Sequence, residues 1–439
     1  MRKFILFILV LAALVSNVSA KYSNVEMIRD LAVGSWRVLT GLAEDIYYTT
    51  PELTEDAYKS APEFYQSNGY RFEEHKIVTE DGYILTAWRI PGKITESAKE
   101  FRGKPAVMLQ HGCLDNSGTF IVGFKNQSLP LILSEEGYDV WITNNRGNFN
   151  SYEHINPQEY SVFDMKSKYW NFSFDSMAYY DVPSNVDYIL DYTSNEKLTY
   201  IGHSQGTMQF FAGNAMKNIA AKIDSFIGLG PVIYVDNIRS PIFALLKNTS
   251  LINLLEWLGI NNVLLWPTIV NVTLKSIVRP LRKSILRFIQ MIVGMKEEIS
   301  VDLSRMPVMG RHEPGGSSLQ NMLHWMQIMN SKEFRRYDYG KEENIKIYGQ
   351  EAPPLYDFEV LKENVKDLDM LLFRGEIDAL VTQEDFERLL DIFDFKIGKT
   401  LDYKIVPKYD HLDYVWADNA YEEIGKPIID FLRERRVSQ

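Results

Sequence analysis

Three residues in one order define the chemistry open to this chain: a serine within Gly202-His203-Ser204-Gln205-Gly206, an aspartate at Asp378 and a histidine at His411. A serine hydroxyl attacks a carbonyl carbon only when a positioned base takes its proton, and imidazole titrates in the right range for that. A carboxylate behind the imidazole fixes its tautomer and steadies its charged form. The Gly-x-Ser-x-Gly spacing adds a backbone requirement, since the two glycines let a strand and a helix approach a serine on a tight turn without a Cβ clash. By itself that pattern arises by chance in on the order of one chain in ten of this length. An ordinary serine in a glycine turn is therefore the bland alternative, and the flanking residues must decide.

Those flanks favour the sharper reading. Lys197 to Ile201 is a β-branched, apolar run, and Thr207 to Ala215 has helical spacing, so Ser204 is expected at a strand-to-helix turn. Seven histidines compete for the base: His75, His111, His154, His203, His312, His324 and His411. His411 follows the last expected strand, at the sheet edge where the other loops converge. His203 is expected to point into the structure, His75 to lie in a hairpin far from the strand ends, and His324 to be a packed, hydrogen-bonded residue. Asp378 lies just beyond Gly375 in a loop at a strand's carboxyl end, with Glu376 and Asp385 as rival carboxylates. The oxyanion formed on attack needs two main-chain N–H donors. Gln205, directly after the serine, and Cys113, in the loop His111-Gly112-Cys113, are the expected pair. The Cys113 thiol is then a small packed group. No metal-ligand spacing and no phosphate-binding glycine loop is visible, so no metal or cofactor is expected.

The elements that would position these residues read as follows. Tyr70–Thr79 and Tyr83–Ile90 flank Glu80-Asp81-Gly82 as a hairpin. Strands are expected at Pro105–Gln110, Tyr138–Thr143, Lys197–Ile201, Ser225–Val232, Leu368–Gly375 and Leu401–Pro407. Helices are expected at Tyr179–Tyr192, after Ser204, from about Gln383 to Phe393 and from Asn419 to Arg433. Strands alternating with helices imply an α/β fold with a mostly parallel central sheet and helices on both faces. The alternation stops between about Asn237 and Tyr339, where apolar helical runs dominate: Leu251–Leu258, Val263–Trp266 and Ile285–Ile292. Helices packing on the core explain part of that greasiness. A cap over the active site, with an inner face meeting an oily substrate or a lipid surface, explains the block as a unit.

Composition sets the outer bounds. A formal net charge of −11 and a pI near 5.3 exclude a nucleic-acid partner as the first reading. Met1-Arg2-Lys3, an apolar run from Phe4 to Val15 and small residues at Val18-Ser19-Ala20 have the layout of a secretory signal peptide, residues 1–20. Asn126, Asn171, Asn248 and Asn271 are Asn-x-Ser/Thr candidates for glycosylation, with Asn171 the doubtful one because its aromatic surroundings suggest packing. With one cysteine there is no internal disulfide, so stability must come from the core.

Taken together, the motifs resemble the acid lipase family, which contains lysosomal acid lipase and gastric lipase. The resemblance rests on Thr79-Glu80-Asp81-Gly82-Tyr83-Ile84-Leu85 with Arg89-Ile90-Pro91, the His111-Gly112 loop, Asn145-Arg146-Gly147-Asn148, Phe172-Ser173-Phe174-Asp175, Tyr180-Asp181-Val182-Pro183, the serine turn and Asn321-Met322-Leu323-His324-Trp325. It implies an α/β-hydrolase fold, with a core at residues 21–236 and 340–439 and a helical cap and lid at 237–339. It also implies a Ser204, Asp378, His411 triad, with Gln205 and Cys113 as oxyanion donors. The implied activity is hydrolysis of triacylglycerols or cholesteryl esters at a lipid–water interface, with peripheral contact through the cap and a lysosomal or secreted destination. A soluble esterase or thioesterase with the same triad, and a catalytically silent lipid-binding protein, are the alternatives. The chain departs from the family at Cys113, where leucine is usual, and in lacking cap cysteines.

Overall fold

In the computed structural model, residues 33, 36–41, 54–97, 99–162, 168–240, 261–263, 282–293, 302–393 and 401–437 are described. The expected signal peptide, much of the expected cap, Asn248 and Asn271 lie outside them.

Among the described residues, nine strands form the central sheet: β1 (Glu73–Val78), β2 (Tyr83–Ile90), β3 (Ala106–Gln110), β4 (Asp139–Thr143), β5 (Glu153–His154), β6 (Leu198–His203), β7 (Ile223–Leu229), β10 (Asp369–Gly375) and β11 (Leu401–Val406). Two short strands, β8 (Asn262–Val263) and β9 (Ser317–Ser318), pair separately. The order across the sheet is β1-β2-β4-β3-β6-β7-β10-β11, with β5 beside β2. From β4 through β11 every pairing is parallel, while β1, β2 and β5 join antiparallel. This is the expected mostly parallel sheet with its antiparallel hairpin. The hairpin turns on Gly82 at φ +92°, a conformation that favours glycine.

The longer helices are α1 (Ala61–Ser67), α2 (Leu129–Glu135), α3 (Val182–Thr193), α4 (Gln205–Met216), α5 (Arg282–Val293), α6 (Met306–His312), α7 (Leu319–Ser331), α8 (Lys341–Tyr348), α9 (Phe358–Val365), α10 (Gln383–Ile392) and α11 (Lys426–Val437). Proline in the first turn sets the start of α1, α2, α3 and α6, where a missing N–H costs nothing. A reciprocal Ser60–Glu63 capping box adds to the start of α1. Two expected helices begin later than their periodicity suggests. Met177–Asp181 and Tyr421–Gly425 are wide π-type turns that lead into α3 and α11. Strand β7 ends at Leu229, short of the expected Val232, because Gly230 turns to φ +59° and Pro231 follows.

Side-chain alternation splits the strands between two cores. Met108, Trp141, Tyr200, Phe226, Met370 and Leu372 face one side with α3, α4, α7, α9 and α10. Val107, Leu109, Val140, Ile142, Ile201, Ile227, Leu371 and Phe373 face the other with α1, α2, α6 and α11. Helices therefore cover both faces, as parallel strands buried on both sides require. Residues 306–334 of the expected cap contribute Met306 and Met309 to one core and Trp325, Met326, Ile328, Met329 and Phe334 to the other. Of the apolar runs, Leu251–Leu258 and residues 264–266 lie outside the described residues, and Leu286 of Ile285–Ile292 packs in the second core.

Candidate active site

Ser204 occupies the single residue between β6 and α4, at φ +52° and ψ −117°. A non-glycine residue held in that region stores on the order of 1–3 kcal/mol of strain, which the surroundings must offset. They do so through the backbone. The Ser204 N–H donates to Leu229 O at 2.9 Å, and the Thr207 hydroxyl donates back to Ser204 O at 2.7 Å. Both flanking glycines are sterically required. A Cβ on Gly202 would lie 2.9 Å from Gly206 C, and one on Gly206 would lie 2.6 Å from Gln110 O.

The loop after β11 brings His411 back to this turn. Its Nε2 lies 2.7 Å from Ser204 Oγ, and its Nδ1 lies 2.9 Å from Asp378 Oδ2 and 3.2 Å from Oδ1. All three residues are buried. Asp378 sits in the turn after β10, whose approach to the β11 loop depends on Gly375: a Cβ there would meet Tyr409 O at 2.2 Å. The carboxylate accepts from the Leu380 and Val381 N–H groups at 2.9 Å each and from the Tyr414 hydroxyl at 2.8 Å. Burial pushes its pKa up, but the charge and hydrogen bond of His411, with the two N–H groups, outweigh burial and leave it below the usual value. The rivals lie elsewhere. Glu376 is exposed and accepts from Lys408 N, while Asp385 is engaged by Asn237 and Arg388.

The other histidines have structural partners. His203 is buried, and its Nε2 donates to the His411 main-chain carbonyl at 2.9 Å. His75 bonds Tyr188 in the hairpin, and His154 stacks on Tyr160. His324 stacks on Phe174 and bonds Ser173 Oγ and Arg335 O. His111 takes hydrogen bonds at Nε2 from Asn145 N and Asn148 Nδ2, which fixes the loop after β3.

That loop lies against the serine: a Cβ on Gly112 would be 3.2 Å from Ser204 Cβ. The Cys113 thiol points away toward α7, 3.8 Å from Met322 Sδ and 3.8 Å from Asn321 Nδ2. Burial first, then the Asp115 charge, pushes the thiol up to about 12, so it stays neutral. The Gln205 N–H begins α4 beside Ser204, and its side-chain Oε1 accepts from Asn321 Nδ2 at 2.8 Å and Trp325 Nε1 at 2.7 Å. The Asn321-to-Trp325 motif thus ties a helix of the expected cap to the residue after the serine. Sequence reasoning missed this clamp, and Tyr414, because the partners lie 116 and 36 residues apart in sequence.

The remaining motifs are structural. Arg146 is buried between Asp181 and Asp81, with contacts of 2.8 Å to each, and stacks over Tyr83 at 3.9 Å. Arg89 pairs with buried Asp139. Asn126 and Asn171 are both exposed, which corrects the expectation that Asn171 is packed; Phe172 and Ser173 beside it carry the burial instead. Among the described residues, no group of acidic, histidine and cysteine side chains could hold a metal ion, and no helix is long and apolar enough to cross a membrane.

Comparison with known proteins agrees with this fold. A family model described as "alpha/beta hydrolase fold" matches residues 105–417, and one described as "Partial alpha/beta-hydrolase lipase region" matches residues 61–123. The chain is 34% identical to Lipase member N of Mus musculus over 87% of its own length and 92% of that protein's. It is 34% identical to Lipase member J of Homo sapiens, with coverage of 83% and 97%, and 34% identical to gastric triacylglycerol lipase of Bos taurus, with coverage of 83% and 89%. Likeness of that extent, over a sheet that carries serine, aspartate and histidine to one edge in the order read from the sequence, makes the chain a member of the acid lipase family of α/β hydrolases.

Proposed function

We propose that this protein is a carboxylic ester hydrolase acting on neutral lipids, triacylglycerols or cholesteryl esters, through a Ser204–His411–Asp378 triad. The observation that carries the reading is the continuous hydrogen-bonded chain from Ser204 Oγ through His411 to Asp378. His411 Nε2 takes the serine proton as Oγ attacks the ester carbonyl, and then gives it to the leaving alcohol. Water, activated by the same nitrogen, releases the fatty acid from the acyl-enzyme and restores the serine. Asp378, held by two N–H groups and Tyr414, keeps Nδ1 protonated and Nε2 free to accept. The main-chain N–H groups of Gln205 and Cys113 stabilise the oxyanion, a contribution of roughly 2.7–4 kcal/mol for each donor.

The lipid preference draws on the relatives' names, gastric triacylglycerol lipase among them, and on the apolar stretch between residues 237 and 339, read as a cap that meets the lipid surface. A secretory route, with residues 1–20 removed and glycans at Asn126 and Asn171, belongs to the same reading, with a lysosomal or extracellular destination. The test is hydrolysis by the purified protein of emulsified trioleoylglycerol and cholesteryl oleate, beside a short water-soluble ester, with Ser204→Ala as control. Turnover of an emulsion that the variant lacks supports the lipase. Turnover of the short ester alone overturns the lipid assignment in favour of a soluble esterase, and no turnover or fluorophosphonate labelling overturns the triad.

A further inference from the structure

Asn321 and Trp325 stand one turn apart on α7, so their side chains leave the helix on one face. That face meets Gln205, whose main-chain N–H is proposed to meet the oxyanion. The orientation of both amides is settled by groups that can only donate. The indole Nε1 of Trp325 has no lone pair to offer, so the Gln205 atom 2.7 Å from it is the oxygen. The Phe174 main-chain N–H is likewise a donor, so the Asn321 atom 2.8 Å from it is Oδ1. Asn321 Nδ2 is thereby turned to Gln205 Oε1 at 2.8 Å, with Ser317 Oγ at 3.2 Å as its second acceptor. Gln205 Oε1 then accepts two hydrogen bonds, and Gln205, Asn321, Trp325, Phe174 and Ser317 are all buried. Polar groups satisfied this fully, away from water, hold one geometry.

The same asparagine reaches the other proposed donor residue. Its Nδ2 lies 3.8 Å from Cys113 Sγ, and Sδ of the adjacent Met322 lies 3.8 Å from the same sulfur. On its backbone side the start of α4 is pinned by the end of β3, since a Cβ on Gly206 would fall 2.6 Å from Gln110 O and 3.0 Å from His111 O. On its side-chain side it is pinned by α7. As the first residue of α4, Gln205 has no carbonyl four residues earlier in the helix to receive its N–H, so the direction of that N–H depends on how the residue itself is held. We propose that Asn321 and Trp325 are positioning residues for the oxyanion: by clamping the Gln205 side chain from α7 they hold the Gln205 N–H in the direction that the developing negative oxygen needs. The inference rests on the proposed ester hydrolysis, and both residues act through Gln205. A donor preset in this way needs no reorganisation as charge develops, which is the source of an oxyanion donor's effect. A clamp that only fastened α7 to the core would contribute to stability and leave the rate alone.

The test compares the wild type with Trp325→Phe, Asn321→Ala and Gln205→Met on a short water-soluble ester, with the melting temperature of each recorded. Trp325→Phe keeps an aromatic ring and removes one hydrogen bond, so kcat is expected to fall about 3- to 10-fold with KM within about twofold. Asn321→Ala is expected to lower kcat about 10- to 30-fold, short of the roughly 10²–10³ that a whole oxyanion donor is worth. The inhibition constant of an alkylboronic acid, whose tetrahedral serine adduct places an oxygen where the oxyanion forms, is expected to rise by the factor that kcat/KM loses. Gln205→Met keeps the N–H and deletes the acceptor, so adding Asn321→Ala to it is expected to change kcat by no more than about twofold. Unchanged kcat and boronate affinity in folded Trp325→Phe would overturn the positioning role even if the melting temperature fell. A loss confined to KM, or full additivity in the double variant, would overturn it too. Should Asn321→Ala fail to fold, Trp325→Phe and Gln205→Met decide. Absence of turnover in the wild type would defeat the ester hydrolysis and the positioning role with it, whereas wild-type turnover with unaffected variants defeats the positioning role alone.

Discussion

His203 and His411 are joined through ring and backbone: the imidazole preceding the proposed nucleophile donates to the main-chain carbonyl of the proposed base at 2.9 Å. The serine turn therefore holds the histidine loop directly. His203→Ala is expected to lower kcat by 3- to 10-fold at constant KM, about the worth of one net hydrogen bond of 0.5–1.5 kcal/mol. Steady-state kinetics on a short ester would check it, and an unchanged kcat would mean the loop is held without this contact.

Asp378→Asn leaves the shape of the site but offers His411 an amide that stabilises the wrong tautomer. The expected loss is about 10⁴ in kcat, with the melting temperature measured alongside to confirm folding. Glu376→Gln removes an exposed carboxylate that accepts from Lys408 N in the loop after β11, and turnover within twofold of the wild type is expected.

Tyr414→Phe removes one donor from buried Asp378 and the acceptor for Gly375 N. Stability is expected to fall by about 1–3 kcal/mol, the cost of leaving a buried polar group unpartnered. Urea denaturation gives the number.

Arg146→Met leaves Asp181 buried without its cation. Burial already raises Asp181 to about 6 against the pull of Arg146, so the aspartate should take up a proton in the variant. The expected cost is about 3–5 kcal/mol at pH 7, smaller at pH 5, where protonation is easier. Denaturation at the two pH values distinguishes this from simple loss of packing.

Acid should destabilise the fold through its buried neutral histidines. Burial lowers His203 and His324 to about 4, whereas the unfolded chain binds protons near 6.5. The unfolded state therefore holds more protons between those values, and stability falls as pH drops from about 6.5 to 4. His324→Gln, which can still meet Ser173 and Arg335, is expected to flatten that limb in a denaturation series.

Much of this could be read from the chain because it depends on local pattern. Apolar runs gave the strands, alternation with helices gave a parallel sheet, and Gly202 and Gly206 carry a steric requirement visible in any sequence. Position relative to the strand ends singled out His411 in the sequence, and its Nε2 lies 2.7 Å from Ser204 Oγ. What escaped was set by tertiary approach. The Gln205 clamp and the Tyr414 hydroxyl join distant segments of unremarkable composition, and the exposure of Asn171 depends on which way one side chain turns beside two buried neighbours. The late starts of α3 and α11 escaped too, since a π-type turn shares the apolar spacing of the helix it precedes.

Ser204 and His411 are 207 residues apart in the chain, and β7, which ends at Leu229, gains its neighbour β10 only after the stretch from Gly230 to Gly375 has been made. At 5–20 residues per second, a ribosome needs on the order of 7–30 s to supply it. During that interval β7, buried on both faces in the finished sheet, is an open edge on the nascent chain, the kind of template that invites pairing with another polypeptide. Synthesis of this protein thus has a vulnerable window fixed by its strand order, in which the serine turn can be complete while the enzyme is silent, and protection of that edge falls to whatever the compartment of synthesis provides.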